Sequence, residues 1–209
     1  MYKLYWSKGS GAMTPQALLE EAGAEYEKIV VDIDKNEHKS ADFLSVNPMG
    51  QIPALVLPDG TLMTESAAMV LHLTDRHPEA KLAPPAGSPE SAHFQRWLLY
   101  LATPVYTAVL RYYYPEQFTN DPAGHRGVSA VGLADFDRCL AVLNDALDPG
   151  PYLLGETFSA ADVYLTMLAG WHPEPDAALA TNPRIRRLSE LVVARPAIAR
   201  VWAEHDDAP

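Results

Sequence analysis

A proline-rich stretch divides the sequence into two parts with different patterns. Four prolines occur from Pro78 to Pro89, where large apolar residues are few. Because proline interrupts helices and central strands, we expect a linker over residues 79–89. Strand and helix patterns alternate before the linker, whereas the patterns after it are helical. The sequence therefore predicts two domains, over residues 1–78 and 90–209.

The first part has the element order of a thioredoxin-like domain. Its strand patterns are short and apolar and cover residues 3–6, 26–33, 54–57 and 61–63. The last two flank the turn signal of Pro58–Gly60, which predicts a hairpin. Helical patterns end at Gly23 and run from Ser66 to His77. The order β-α-β-β-β-α predicts a small mixed sheet covered by helices.

The second part is predicted to be all-helical. Its helical patterns cover residues 91–114, 126–147, 160–170, 184–194 and 197–205. Ser159 and Asp162 fit an acidic capping box, and Phe158 and Val163 fit the accompanying hydrophobic staple. We therefore expect a helix to start at Ala160. The fold class that follows is α/β in the first part and all-α in the second.

Composition narrows the possible partners. The 209 residues carry 16 Lys and Arg against 27 Asp and Glu, a formal net charge of -11. Nucleic acids and anionic membranes attract clustered basic residues, so we expect neither as the main partner. We expect no membrane span or secretory signal, because the apolar runs are short. The single cysteine, Cys139, permits no intrachain disulfide and is typical of a reducing cytoplasm.

The most specific motif of the first part lies before its last helix. Residues 47–55 read N-P-M-G-Q-I-P-A-L, and Glu65 and Ser66 follow at the start of the helix. This order can place an open backbone edge beside a helix N-terminus, which suits a small peptide with an amine and a carboxylate. The motif resembles the glutathione-binding half of the glutathione S-transferase family, whose signature is close to N-P-x-G-x-I/V-P followed by E-S. The resemblance extends over essentially the whole chain.

The resemblance implies how glutathione is held. In the family, the proline equivalent to Pro53 is cis, and the backbone of Ile52 pairs with the cysteinyl backbone of glutathione. Glu65 is expected to bind the γ-glutamyl ammonium group, and the helix N-terminus at Ser66 to bind the γ-glutamyl carboxylate. Without the motif, Glu65 and Ser66 would simply be a helix start.

Two further assignments concern the other end of the peptide. The position of His38 resembles that of a histidine in delta-type members that helps to hold the glycyl carboxylate. Gln51 could donate to the same carboxylate or to the backbone. Both residues are also typical of an exposed loop.

The group that activates the thiol is expected in the loop before the first helix. Ser10 resembles the serine of the Y-x-P-G-S pattern in serine-type transferases of the theta and delta kind, although Lys8 replaces the proline. Bacterial beta-class members resemble this chain through K-L-Y-Y-S-P-G-A-C-S, and Gly11 replaces their cysteine, which disfavours disulfide exchange. Tyr5 is the second candidate, and backbone N–H groups near Gly11 and Ala12 are the third.

Aromatic residues after residue 105 predict a site for the second substrate. Tyr106 and Tyr113 have i, i+7 spacing and share a helix face, so their rings can line an apolar pocket with hydroxyls at its rim. Arg111 could polarise an anionic substrate or pair with an acid. Trp171 could close the pocket from another helix. Core packing and a dimer contact are the alternatives for these aromatic residues.

The resemblance implies a cytoplasmic, homodimeric glutathione transferase with a role in detoxification. Glutathione is its co-substrate, a small apolar electrophile its second substrate, and no metal is expected. One alternative is a glutathione-dependent isomerase, dehalogenase or peroxidase on the same fold. The other is a non-enzymatic protein-binding module with a transferase-like fold.

Overall fold

The computed structural model describes residues 1–206 and forms two compact units. The first unit comprises Met1–Ala83 together with the segment that begins at Val193, and the second comprises Pro84–Val192. The C-terminal helix therefore belongs to the first unit, whereas its sequence position placed it in the predicted domain over residues 90–209. Within residues 1–206, every helix is too short or too polar to cross a membrane.

The secondary structure changes from mixed to helical along the chain, as predicted. In chain order, the strands and helices are β1 (Tyr2–Trp6), α1 (Met13–Glu21), β2 (Tyr26–Val30), α2 (Ala41–Val46), β3 (Ala54–Val56), β4 (Leu62–Met63), α3 (Ser66–Arg76), α4 (Pro89–Tyr100), α5 (Tyr106–Tyr113), α6 (His125–Ala146), α7 (Ala160–Gly170), α8 (Pro175–Thr181), α9 (Pro183–Val193) and α10 (Pro196–Asp206). The predicted thioredoxin-like arrangement followed by helices is confirmed.

The sheet of the first unit has the order β2-β1-β3-β4 over the described residues. Strand β1 pairs parallel with β2 and antiparallel with β3, and β4 pairs antiparallel with β3. Leu4 lies opposite Leu55, and both side chains are fully buried. Tyr5 lies opposite Ala54, the residue after Pro53. This register brings the loop after β1 and the Pro53 segment to the same end of the sheet.

Helix α1 is the centre of the first unit. Its residues from Met13 to Leu19 are buried, and it packs against α3 and α10. A helix that is buried almost all round needs apolar or satisfied polar side chains on every face. Thr14 and Gln16 are the buried polar residues of this stretch, and the Gln16 side chain bonds to residues of β1, β2 and α10.

The second unit contains α4 to α8 and all but the last residue of α9. Its first long helical stretch is interrupted, because Leu101–Val105 forms a π-helical turn that contains Pro104. Proline lacks an N–H and clashes with the preceding turn, so the regular hydrogen-bond ladder cannot continue through it. The helical pattern predicted over residues 91–114 is confirmed, but the sequence did not indicate the π-helical turn within it. Helix α8 lies where no element was predicted.

The predicted capping box at the start of α7 is confirmed. The carboxylate of Asp162 accepts the Ser159 N–H at 2.7 Å, the Ser159 hydroxyl at 3.0 Å and the Leu153 N–H at 2.8 Å. Both Ser159 and Asp162 are fully buried. Burial raises the pKa of Asp162 to about 6, against the three hydrogen bonds, which lower it. The network fixes the segment from Leu153 onto the helix that forms the core of this unit.

Candidate functional site

The segment that leads into β3 is held by Asn47. The buried Asn47 side chain donates to the carbonyl oxygen of Gln51 at 2.7 Å and accepts the Met49 N–H at 3.1 Å. Gly50 has a φ of 59°, and a Cβ there would lie 2.8 Å from the carbonyl oxygen of His38. Glycine is therefore required at this turn. The peptide bond between Ile52 and Pro53 is cis, as the family resemblance implied.

Ile52 presents an open backbone edge at the end of the sheet. Among residues 1–206, its backbone N–H and C=O have no hydrogen-bond partner, and strand β3 begins only after Pro53. Such a pair of groups can bind an extended peptide as an additional strand. The structure thus places Ile52 where main-chain recognition of a peptide is possible. The neighbouring residue Gln51 is exposed to solvent.

Glu65 and Ser66 lie where β4 gives way to α3. Glu65 is exposed and has φ 63° and ψ 103°, a backbone conformation that residues with a Cβ rarely adopt. The Glu65 side chain makes no capping hydrogen bond to α3. The N-terminus of α3 carries partial positive charge. The Glu65 carboxylate can therefore bind a cation, and the adjacent N-terminus of α3 can bind an anion.

The Ser10 hydroxyl is bound within its own loop. Ser10 is only 9% exposed. Its Oγ donates to the carbonyl oxygen of Ser7 at 2.6 Å and accepts the N–H of Ala12 at 3.2 Å. The backbone N–H of Gly11 has no acceptor among the described residues. The Gly11 N–H just before α1 is therefore free to bind a ligand. The Ser10 hydroxyl could donate to a ligand only after its hydrogen bond to the Ser7 carbonyl oxygen is broken.

Tyr5 has a packing role in the structure. It is a half-buried residue of β1, and its ring lies edge-on to Phe43 of α2, with the centroids 5.7 Å apart. Its hydroxyl has no hydrogen-bond partner among residues 1–206.

Helix α10 bonds directly to the loop that carries Ser10, a contact that the sequence did not indicate. The N–H of Gly9 donates to Nδ1 of His205 at 2.9 Å. Nε2 of the same ring lies 3.0 Å from Oε1 of Gln16, which also accepts the indole N–H of Trp6 at 2.7 Å. No spacing rule connects Gly9 with His205, because almost the whole chain separates them. A histidine near the end of the C-terminal helical pattern was the only available signal.

A second missed residue, Lys39, lies beside the Gly50 turn. Its ammonium group donates to the carbonyl oxygen of Gly50 at 3.1 Å, so the cation lies next to Gln51. His38 is half-buried, and its Nδ1 is buried without a hydrogen-bond partner in the described chain. Burial, and then the charge of Lys39, lower the pKa of His38. Lys39 therefore adds an ammonium group beside Gln51, and its place next to His38 in the sequence was the signal that could have indicated it.

The aromatic residues predicted for the second substrate meet in the second unit. The rings of Tyr106 and Trp171 are perpendicular, with centroids 5.7 Å apart. The hydroxyl of Tyr113 donates to the carbonyl oxygen of Trp171 at 2.8 Å, and the Tyr113 side chain is 47% exposed. Arg111 pairs with Asp135 at 3.1 Å, which is the alternative role proposed for it. Tyr106, Tyr113 and Trp171 therefore form one cluster, while Arg111 is engaged elsewhere.

The chain offers hydroxyl, amide, carboxylate and ammonium groups at these sites. Among residues 1–206, no group of three or more His, Cys, Asp or Glu side chains could hold a metal ion. Cys139 is a buried residue of α6 in the second unit, with 4% exposure.

Both parts of the chain match known family models. Residues 2–75 match the model "Glutathione S-transferase, N-terminal domain", and residues 123–171 match "Glutathione S-transferase, C-terminal domain". The protein "Glutathione S-transferase GstA" of Escherichia coli O157:H7 is 31% identical over 173 residues, which cover 81% of each chain.

Two further comparisons cover nearly the full length. A glutathione transferase homologue from Sulfitobacter, solved with bound glutathione, is 28% identical, with a TM-score of 0.91 over 98% of both chains. A maleylacetoacetate isomerase of Pseudomonas aeruginosa is 27% identical over 220 residues, which cover 99% of both chains. The likeness therefore includes both the sheet that carries the Pro53 edge and the helical unit.

Proposed function

Because the chain belongs to the glutathione S-transferase family, we propose that it binds glutathione along the Pro53 edge and conjugates it to a small apolar electrophile. The observation that carries this proposal is the open backbone of Ile52, together with Glu65 at the start of α3, which the antiparallel β3–β4 register brings to the same end of the sheet. Together they complement an extended peptide that has an amine and a carboxylate at one end, which is the form of glutathione. The solved Sulfitobacter homologue contains glutathione.

In this proposal, separate parts of the first unit bind the γ-glutamyl, cysteinyl and glycyl residues of glutathione. Ile52 pairs with the cysteinyl backbone, Glu65 binds the γ-glutamyl ammonium group, and the α3 N-terminus at Ser66 binds the γ-glutamyl carboxylate. The glycyl carboxylate is assigned to the region of His38, Lys39 and Gln51. The ammonium of Lys39, held by Gly50, supplies the positive charge there. These contacts would leave the sulfur near the start of α1, since β1 ends where β3 begins, at the same end of the sheet.

The chemical step needs the glutathione thiolate. A thiolate is favoured where N–H or O–H donors and a helix N-terminus face the sulfur. We assign this role to Ser10 and to the N–H of Gly11 at the start of α1. The thiolate sulfur then forms a bond to the electrophilic carbon while the leaving group departs with its bonding electrons. Rate enhancement comes from thiolate formation and from holding the two reactants together.

The electrophile is assigned to the helical unit. The cluster of Tyr106, Tyr113 and Trp171 offers ring faces and a hydroxyl rim that suit a small apolar molecule. A role in detoxification, a cytoplasmic location and a homodimeric state are further parts of the proposal. They rest on the family and, for the location, on the single cysteine.

The proposal is tested by glutathione binding followed by turnover. We expect retention on immobilised glutathione, a rise in melting temperature with millimolar glutathione, and conjugation of a chromogenic halonitroarene. The dipeptide Cys-Gly, which lacks the γ-glutamyl group, serves as the matched ligand control and should give little or no thermal shift. Absence of both retention and thermal shift would exclude the proposal.

A glutathione-dependent isomerase is the second candidate, favoured by the full-length similarity to a maleylacetoacetate isomerase. The two activities differ in thiol balance. Conjugation consumes one thiol for each product formed, whereas isomerisation returns glutathione unchanged. Titration of free thiol during turnover of a panel of haloarenes and cis-enone acids therefore separates them.

A further inference from the structure

The imidazole of His205 has a defined tautomer. It is 6% exposed, and its Nδ1 lies 2.9 Å from the backbone nitrogen of Gly9. An amide N–H can only donate, so Nδ1 must be the acceptor, and the proton of the neutral ring must lie on Nε2. The indole N–H of Trp6 also lies 2.9 Å from Nε2, but it has a second acceptor in Oε1 of Gln16 at 2.7 Å, whereas the Gly9 N–H has Nδ1 alone. Nε2–H and the Trp6 N–H therefore both donate to Oε1 of Gln16, the former at 3.0 Å. His205 thus connects the Gly9 loop to the buried face of α1.

The Gly9 contact bears directly on the candidate thiol-activating groups. Gly9 has a φ of 62°, and an added Cβ would meet no atom within 4 Å. The left-handed backbone, rather than lack of space, therefore makes glycine the favoured residue. Ser10 and Gly11 follow immediately in the chain. A change in the direction of the Gly9 N–H must therefore alter where the Ser10 hydroxyl and the Gly11 N–H point.

The contact requires an uncharged ring. A second proton on Nδ1 would point at the Gly9 N–H, and two donors cannot bond to each other. Burial lowers the pKa of His205 to about 4, with Lys28 and Lys8 acting in the same direction and Glu204 opposing them. Glu204 is itself paired with Lys28 at 2.5 Å and with Gln16 at 2.9 Å. His205 is therefore neutral at physiological pH, and its acceptor stays available.

We infer that His205 is a positioning residue, which holds the Ser7–Ala12 loop in its thiolate-stabilising geometry by accepting the N–H of Gly9 as a neutral imidazole. It acts through the loop and without contact to glutathione. The inference rests on the proposed function, because it concerns the same thiol.

Two amide substitutions test the contacts of Nδ1 and Nε2 separately. In His205→Asn, the side-chain oxygen can lie near the position of Nδ1 and still accept the Gly9 N–H. In His205→Gln, the amide nitrogen can lie near the position of Nε2 and still donate to Gln16, but the Gly9 acceptor is lost. The two variants have similar polarity, and neither titrates. They therefore differ mainly in the contact that the inference invokes.

The decisive readout is the pKa of the glutathione thiol in the complex, measured by ultraviolet thiolate absorbance. For His205→Gln we expect this pKa to rise by about one unit. At pH values below the pKa, the thiolate fraction, and with it kcat, should then fall about tenfold. The KM for glutathione should change less than kcat, because Ile52, Glu65 and Ser66 are untouched. His205→Asn should recover most of kcat and the lower thiol pKa.

A purely structural role predicts a different pattern. Both variants would then lose thermal stability, while the thiol pKa of the folded complex would equal that of the wild type. That result would overturn the inference but leave the proposed function intact. Failure of the wild-type protein to bind glutathione would instead overturn the proposed function itself. If His205→Gln fails to fold, a thiol pKa in His205→Asn that is raised by a full unit also counts against the Gly9 contact.

Discussion

The Ser10 hydroxyl donates to the carbonyl oxygen of Ser7 at 2.6 Å. The hydroxyl has one proton, so this bond and a bond to a thiolate exclude each other. Either the hydroxyl rotates from Ser7 to the sulfur when glutathione binds, or it braces the loop while the free N–H of Gly11 bonds to the sulfur. Both routes make Ser10 important, but only the first needs its proton at the sulfur.

We predict that Ser10→Ala raises the pKa of bound glutathione thiol by about one unit and reduces kcat about tenfold at neutral pH. The matched control is Ser7→Ala, which removes a neighbouring hydroxyl but keeps the Ser7 carbonyl that Ser10 binds. Thiolate absorbance and steady-state rates check both variants. An unchanged thiol pKa in Ser10→Ala would assign the activation to Gly11 N–H or to Tyr5.

Glu65 provides a prediction that separates an effect on stability from an effect on glutathione binding. Its φ of 63° disfavours any residue with a Cβ by about 1–2 kcal/mol. Glycine removes this cost but loses about 0.5–1 kcal/mol through the entropy of the unfolded chain. We therefore expect Glu65→Gly to be more stable than Glu65→Ala, by up to about 1 kcal/mol.

Both Glu65 variants lack the carboxylate, so both should weaken glutathione binding to a similar extent, about tenfold for a charge-assisted contact. Thermal unfolding and glutathione titration measure the two effects separately. Glu25→Gln, a change at another exposed acid of the same unit, is the control for the loss of negative charge. Equal stability of the glycine and alanine variants would show that the conformation at Glu65 is not strained.

The sequence predicted the parts of the fold that local patterns determine. Short apolar runs mark the strands, and the Pro58–Gly60 turn marks the β3–β4 hairpin. Ser159 and Asp162 mark the start of α7, because a capping box needs only residues three apart. The Pro53 and Glu65 motifs were recognisable for the same reason, since each lies within a short stretch of chain.

Contacts between distant segments were not predictable in the same way. Gly9 and His205 meet because α10 packs on α1, and no local pattern determines that packing. The π-helical turn at Pro104 was missed because the apolar periodicity continues through it, although proline breaks the hydrogen-bond ladder. Lys39 was missed because only the folded Gly50 turn brings its ammonium group beside Gln51.

Protonation of His205 should make folding stability depend on pH. The pKa falls from about 6.5 in the unfolded chain to about 4 in the folded one. Between these values the unfolded state binds more protons, so stability is fully present above pH 6.5 and is lost as pH falls towards 4. We expect a loss of about 2 kcal/mol after allowance for solvent screening.

Urea unfolding at a series of pH values measures this dependence, and His205→Asn is the reference because it does not titrate. The contribution of Glu204 to folding stability also falls at lower pH. Burial raises the pKa of Glu204, but the hydrogen bonds to Lys28 and Gln16 outweigh burial and lower it. The difference between wild type and His205→Asn then reports the titration of His205 together with its electrostatic coupling to Glu204. Parallel curves for the two proteins would show that His205 protonates alike in the folded and unfolded states.

The Asp162 network should dominate the stability of the second unit. Asp162→Ala leaves the N–H groups of Leu153 and Ser159 and the Ser159 hydroxyl without their buried acceptor. We expect a loss of about 3 kcal/mol or more. Ser159→Ala removes one donor and leaves both backbone donors paired, so it should cost about 1 kcal/mol. Chemical denaturation of both variants tests the order, and equal losses would contradict a carboxylate-centred network.

Tyr113 and Tyr114 form a matched pair for the proposed electrophile site. They are adjacent, 47% and 46% exposed, and only the Tyr113 hydroxyl is bonded, to the carbonyl oxygen of Trp171. Tyr113→Phe removes that bond, so the ring and Trp171 become free to shift. We expect the KM for the electrophile to rise a few-fold, about 1 kcal/mol or less, while the KM for glutathione stays within twofold. Tyr114→Phe should change neither constant. Steady-state kinetics with one substrate varied at a time measure both, and equal effects of the two variants would place the electrophile away from the Tyr113 and Trp171 cluster.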